Sequence, residues 1–240
     1  MFQALDRELQ RGNIVADKDN APKAREPLTA AELWSAAQAG KHPLAGCYEL
    51  TALYVAMARG VGLDVRGAEK DVRGSGAIGH VVAILTDTGV TTAIDLQNRS
   101  FARADHVRAL SDLELAAHHY NHRAVAAFLR GDLGGAAIAL SDGMLLANTV
   151  PQLWSNRAAL RAEQKNFTDA IADAERAVAL APGVAVYHYQ LGAVRIAAGS
   201  TCDGLRSLSE ALQRDAQYAD AKALVRATLE AHPELNCAAP

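Results

Sequence analysis

The sequence predicts an α+β domain followed by an all-α array of helical hairpins, and three observations carry that reading. A 34-residue recurrence runs through the second half of the chain. Between residues 47 and 95 the apolar spacing changes from helical to alternating. Of 240 residues 50% are apolar and 21% charged, which suffices for a buried core and is too apolar for a disordered chain.

The recurrence divides the second half into units 117–150, 151–184 and 185–218. Position 8 of each unit is Ala124, Ala158 and Gly192; position 20 is Ala136, Ala170 and Gly204; position 27 is Gly143, Ala177 and Ala211. Small residues at those places let two helices of a unit cross closely. Larger fillers recur around them, Tyr120 and Trp154 at position 4, Leu133 and Phe167 at position 17, Leu140 and Leu208 at position 24. Asn148, Pro182 and Ala216 fall where the second helix stops, and an amphipathic segment in 219–232 caps the last apolar face. With Trp154, Ala158, Phe167, Ala170, Ala177 and Pro182 in place, the unit 151–184 resembles a tetratricopeptide repeat. The flanking units depart from it at Gly143 and Gly204.

That resemblance implies a groove lined by first-helix positions 2, 5 and 9, here including His118, Asn121, Val125, Gln152, Ser155, Tyr189 and Ala193. The expected use is a peptide substrate or a protein partner. The set lacks the lysines and arginines with which some such repeats clamp the C-terminal carboxylates of chaperones.

The first half reads as a domain over 1–112, with the repeats filling 113–240. A polar start predicts a helix and a connection ending at Asn20-Ala21-Pro22-Lys23. Thr29 with Glu32 three residues on reads as a capping box. A loop from Gly40 to Gly46 precedes a helix over Cys47–Arg59, whose stripe is Leu50, Leu53, Tyr54, Met57 and Ala58 and which stops at Gly60. Strands follow near Val65–Ala68, at Gly79–Thr86 and at Val90–Asp95, the last two joined through Asp87-Thr88-Gly89.

Cys47 sits where loop becomes helix, a place whose free N–H groups and dipole favour a thiolate. A nucleophilic thiol needs a base, and the base an orienting acid. If Leu85 pairs with Val90 across a four-residue loop, His80 lies opposite Asp95 on one sheet face. Ala45-Gly46-Cys47-Tyr48, the helix it starts, Gly79-His80-Val81 and Thr92-Ala93-Ile94-Asp95 together resemble the transglutaminase-like superfamily of papain-fold proteins over about 27–98. Tyr48 stands where many members have Trp, and Gly62-Leu63-Asp64 lacks their proline.

The resemblance implies a papain-like domain with Cys47 as nucleophile, His80 as general base and acid, and Asp95 fixing the imidazole. Its chemistry is that of a peptidase, amidase or transamidase at an amide bond, with the second oxyanion donor unassigned. The alternative is a catalytically inactive papain-fold scaffold whose repeats mediate protein–protein interaction.

Other patterns narrow the classes. A formal charge of -3 excludes a global field for phosphates, so nucleic acid is not expected as a partner. No apolar run reaches a membrane span, and the charged start is not a leader; as written the chain reads as soluble and cytoplasmic, periplasmic or secreted if a leader was removed. Three cysteines argue against a disulfide framework, with Cys202 and Cys237 incidental and at least one thiol free. Gly74 to Gly79 spells a dinucleotide fingerprint but leads into a strand, and is read as a glycine loop beside His80. Glu114, His118 and His122 share a helical face without a fourth ligand, so neither a metal nor a cofactor is expected.

Overall fold

In the computed structural model the described residues are 5, 7, 9–17, 25–70, 80–87, 89–104, 107–233 and 237. The chain divides into two compact units, the first reaching Gly135 and the second beginning at Ala136.

In the first unit β1 (Val15–Ala16) pairs in parallel with β2 (Leu44–Ala45). Helix α1 (Ala30–Gln38) starts at Thr29, and both halves of the expected capping box with Glu32 are formed. Helix α2 (Cys47–Gly60) follows an extended Gly46. Strands β3 (Val65–Lys70), β4 (His80–Asp87), β5 (Val90–Asp95), β6 (Ser100–Arg103) and β7 (Val107–Ala109) make an antiparallel sheet in the order β6-β5-β4-β3-β7. Alternation along β4 sends Val81 and Ala83 to one buried cluster with Leu50, Leu53 and Tyr54 of α2, and Val82 and Ile84 to another with Ala68 and Ala93. Thr51 on α2 donates to the carbonyl of Val81 at 3.1 Å, fixing helix against strand. Helix α3 (Asp112–Leu129) lies so close to β3 that a Cβ at Gly67 would sit 2.9 Å from a methyl of Leu115.

The hairpin register differs from the expected one by two residues. Asp87 pairs with Val90 and Leu85 with Thr92, so the loop has two residues, not four. Gly89 supplies the φ of +82° that such a tight turn needs. A two-residue slip conserves parity, so His80 and Asp95 stay on one face as diagonal neighbours.

Helices α4 (Leu133–Leu146), α5 (Pro151–Glu163), α6 (Phe167–Leu180), α7 (Ala185–Ala197), α8 (Thr201–Arg214) and α9 (Ala219–Ala231) follow. Their bounds recur at 34 residues, α4 on α6 on α8 and α5 on α7 on α9. The small residues at positions 8, 20 and 27 are all buried. A Cβ on Gly204 would lie 2.5 Å from Ile196 and 2.9 Å from the carbonyl oxygen of Gly192, which is why this crossing takes two glycines. Buried Asp173 accepts from Arg157 and Arg161 inside one repeat, and 34 residues on Arg195 donates to Ser207 in the same place. Helix α9 buries Ala221 and Thr228 and turns Lys222, Arg226 and Glu230 outward.

The turn inside each unit has a left-handed residue at position 15: Gly131 (φ +79°), Lys165 (φ +60°) and Gly199 (φ +84°). Lysine is strained there where glycine is not, by about 1–2 kcal/mol, against which glycine costs ~0.5–1 kcal/mol of chain entropy. Lys165→Gly is therefore expected to raise stability by up to about 1 kcal/mol. Urea unfolding followed by Trp154 fluorescence in a Trp34→Phe background checks this, and a lower midpoint would refute it.

Two expectations are corrected. The class is mostly α with a small sheet, not α+β: among the described residues nine helices outweigh strands of two to eight residues, because alternation is confined to short segments while helical periodicity runs from Asp112 to Ala231. Cys202 and Cys237 are not incidental; they form a disulfide across 35 residues, with Cys202 inside α8, and Cys47 is the free cysteine.

Candidate functional site

The helix start at Gly46 is held by a carboxylate. Glu49, 4% exposed, accepts from the N–H of Gly46 at 2.7 Å, from the N–H of Leu28 at 3.0 Å and from both terminal nitrogens of Arg25 at 2.7 Å. Burial alone would raise its pKa, but these hydrogen bonds and the Arg25 charge outweigh burial and lower it. Sequence reading missed this residue; its spacing from Gly46 was visible, but its partner Arg25 lies 24 residues upstream.

Cys47, partly exposed, is the first residue of α2. His80 begins β4, and its Nε2–H donates to Asp95 Oδ2 at 2.7 Å, with both side chains 11% exposed. Asn98 fixes the carboxylate, its backbone N–H on Oδ1 at 3.0 Å and its side-chain amide on Oδ2 at 2.9 Å. Burial opposes the imidazolium, but bonding to Asp95 and to Cys47 overcomes it and raises the His80 pKa to about 9. Burial likewise opposes the Asp95 carboxylate, and His80 with Asn98 lowers its pKa to about 2. Nδ1 of His80 is buried without a hydrogen-bond partner of regular geometry. Of the three residues expected together, His80 and Asp95 are bonded to each other. The expected glycine loop, Gly74 to Gly79, lies outside the described residues.

The pair gives a pH signature. His80, raised from 6.5, contributes stability that is full below 6.5 and lost as pH rises through about 9. Asp95, lowered from 3.8, contributes stability that is full above 3.8 and lost as pH falls through about 2. As they bond each other this is one contribution, on the order of 1–2 kcal/mol once screening is allowed for. The expected result is that wild type loses stability between pH 6.5 and 9 and His80→Gln does not, read by urea unfolding on Trp34 fluorescence in a Trp154→Phe background; parallel curves would refute it.

On α3, His118 forms an ion pair with Glu69 of β3 at 3.2 Å, and Arg108 donates to the same carboxylate at 2.7 Å. Burial works against the Glu69 charge, and these partners bring its pKa to about 2. The Tyr48 ring stacks on His122 at 5.4 Å and reaches His119 at 6.0 Å. Glu114 accepts from Arg108 at 2.6 Å, so all three residues weighed as metal ligands are occupied, and no metal-binding group of three appears among the described residues. Asn121 on α3 is buried. In the second unit Gln152 and Ser155 of α5 are 5% and 1% exposed, and half-buried Tyr189 of α7 packs edge-on against Tyr218 at 5.2 Å.

A helical hairpin array at a fixed 34-residue spacing is the class of structure these helices define. Over 90 residues the chain is 36% identical to the Hsp70-Hsp90 organizing protein of Triticum aestivum, a match spanning 38% of this chain and 16% of that relative. It thus spans about a sixth of the length of the curated relative it matches. Among solved structures it is similar to the first repeat domain of Spaghetti (RPAP3) bound to the HSP90 peptide SRMEEVD, at 22% identity and a TM-score of 0.47, covering 50% of this chain and 98% of that one. It is also similar to the TPR2B domain of yeast Sti1 in a complex with pHsp70, at 22% identity and a TM-score of 0.45, covering 48% and 97%. No protein-family profile matches the chain.

The transglutaminase-like, papain-fold identification of the first half is corrected: the curated relative found is the Hsp70-Hsp90 organizing protein, and no protein-family profile supports a transglutaminase-like domain. With it goes the reading as a cysteine peptidase, amidase or acyltransferase with a catalytic triad. The physical reason is that a thiol, an imidazole and a carboxylate in contact satisfy a structural ion pair as well as a reaction. A cavity of about 470 Å³ is lined by Leu212, Lys222, Val225, Arg226, Leu229 and Glu230. No helix among the described residues is long and apolar enough to cross a membrane.

Proposed function

We propose that this chain is a non-catalytic protein-interaction module that takes an extended segment of a partner protein along the first-helix face of its repeats. The observation that carries this reading is the helix array on a 34-residue spacing, with polar Gln152 and Ser155 at inner positions where a self-sufficient core would use apolar side chains. The likeness to an organizing protein of chaperone systems supports the same class. Gln152, Ser155 and Tyr189 are the residues assigned to the partner. Positions 2, 5 and 9 of the first helices carry no Lys or Arg, so the favoured segment is uncharged and hydrogen-bonding, not one ending in acidic residues.

Peptide arrays probed with the whole chain test this. Neutral polar segments are expected to be retained ahead of SRMEEVD, and the double variant Gln152→Ala with Tyr189→Ala to weaken the best of them tenfold or more in fluorescence anisotropy. Retention of no sequence, or preference for the acidic tail, would sink the reading.

A further inference from the structure

We propose that the outer face of α9 is a pairing surface for a second copy of this chain, the two helices running antiparallel about a two-fold axis. The face is a groove lined by Leu212 of α8 and by Lys222, Val225, Arg226, Leu229 and Glu230 of α9. A helix that closes a repeat array ordinarily turns a polar face to water. Position 11 of the 34-residue unit breaks that rule here. In the two preceding repeats it is an arginine bonded to position 23 of the same repeat, Arg161 to Asp173 and Arg195 to Ser207. On α9 it is Leu229, 47% exposed, in a groove with half-buried Val225 and Leu212.

A repeat-like second helix does not fit this face. Position 8, which is Ala124, Ala158 and Gly192 where such helices cross, is Arg226 on α9. Position 12, which is Phe128, Ala162 and Ile196 in the preceding units, is Glu230. The occupant must therefore leave room for a long side chain, set an acid against Lys222 and Arg226, a base against Glu230, and an apolar group against Leu229. In these terms α9 is its own complement. With the axis at the level of Ala227, Val225 of each copy lies opposite Leu229 of the other, and Glu230 lies opposite residue 224, between Lys222 and Arg226. These charges are open to such a partner. Lys222 donates to the amide oxygen of Gln217 at 3.2 Å, and neither Arg226 nor Glu230 has an ion-pair partner among the described residues. Two-fold closure then makes every contact twice.

One helix pair buries less than the ~1,200 Å² at the lower bound of stable interfaces, so the dimer is a weak one, dissociating in the range of about 10–500 µM. Sedimentation velocity of the whole chain across that range is expected to move from the mass of one chain toward that of two, covalent dimers through Cys47 being excluded on a non-reducing gel. Glu230→Lys is expected to weaken association about tenfold or more, and so is Lys222→Glu with Arg226→Glu, since each sets like charges face to face. Mixed in equal amounts, the two variants are expected to associate about tenfold more tightly than either does alone, because each then meets the opposite charge. All three positions are exposed, so the variants keep the fold. A chain that stays single throughout overturns the proposal and leaves the groove to a helix of another protein. A dimer that ignores both variants, or a mixture no tighter than its components, places the contact on another surface and overturns it equally.

Discussion

Glu49→Ala is expected to cost the first unit about 3 kcal/mol, the lower end for breaking a buried ion pair because Arg25 keeps about a third of its side chain in water. The substitution orphans two backbone N–H groups as well as a guanidinium, at Gly46, Leu28 and Arg25. Glu49→Gln keeps an acceptor for the N–H groups and is expected to cost about half as much. Hydrogen exchange resolved by peptide is the right measurement, because a chain of two units need not unfold in one step. Protection should fall across residues 28–58 and hold in α5 to α9; unchanged protection in 28–58 would show that the carboxylate holds nothing. Since the Glu49 pKa is lowered on folding, its contribution is present above the unfolded value of 4.5 and drains away as pH falls below it.

Gly204 supplies the second large effect. Alanine normally improves a helix by about 1 kcal/mol over glycine, yet here its Cβ would meet Ile196 at 2.5 Å and the rigid carbonyl of Gly192 at 2.9 Å. Overpacking of that kind costs about 1–3 kcal/mol, and with backbone on one side the upper end applies, so Gly204→Ala is expected to lose about 2 kcal/mol net and Gly204→Val more than 3. At the corresponding position of the preceding repeat Ala170 is fully buried, so that crossing already holds a methyl group. A Gly204→Ala protein with an unchanged or higher urea midpoint on Trp154 would mean that α7 and α8 separate freely.

What the sequence made legible was local or periodic. Ala158, Ala170 and Ala177 recur because close helix crossings demand small side chains every 34 residues, and Thr29 with Glu32 marks a helix start over four residues. The left-handed turn was half visible, as glycine at 131 and 199, and hidden at Lys165 by a residue that tolerates the strain. Strands β1, β2, β6 and β7 span two to four residues, too few for an alternation to declare itself. The meeting of His80 and Asp95 survived a wrong register because the error was even. Its chemical reading did not survive, since residue types and proximity state which groups touch and leave open whether a substrate comes to them. Long-range partnerships, Arg25 with Glu49 and Cys202 with Cys237, had no periodicity to announce them.

The disulfide also decides how the molecule bears load. A force applied at the C-terminus enters the fold through Cys237 and passes straight to Cys202 near the start of α8, so α9 and most of α8 lie outside the tensioned path. In a single-molecule stretch the oxidised chain should therefore come out short of the reduced one by the contour of the 35 looped residues, about 120 Å. The last helix, which in an open array would be the first to peel, becomes the element that pulling cannot reach.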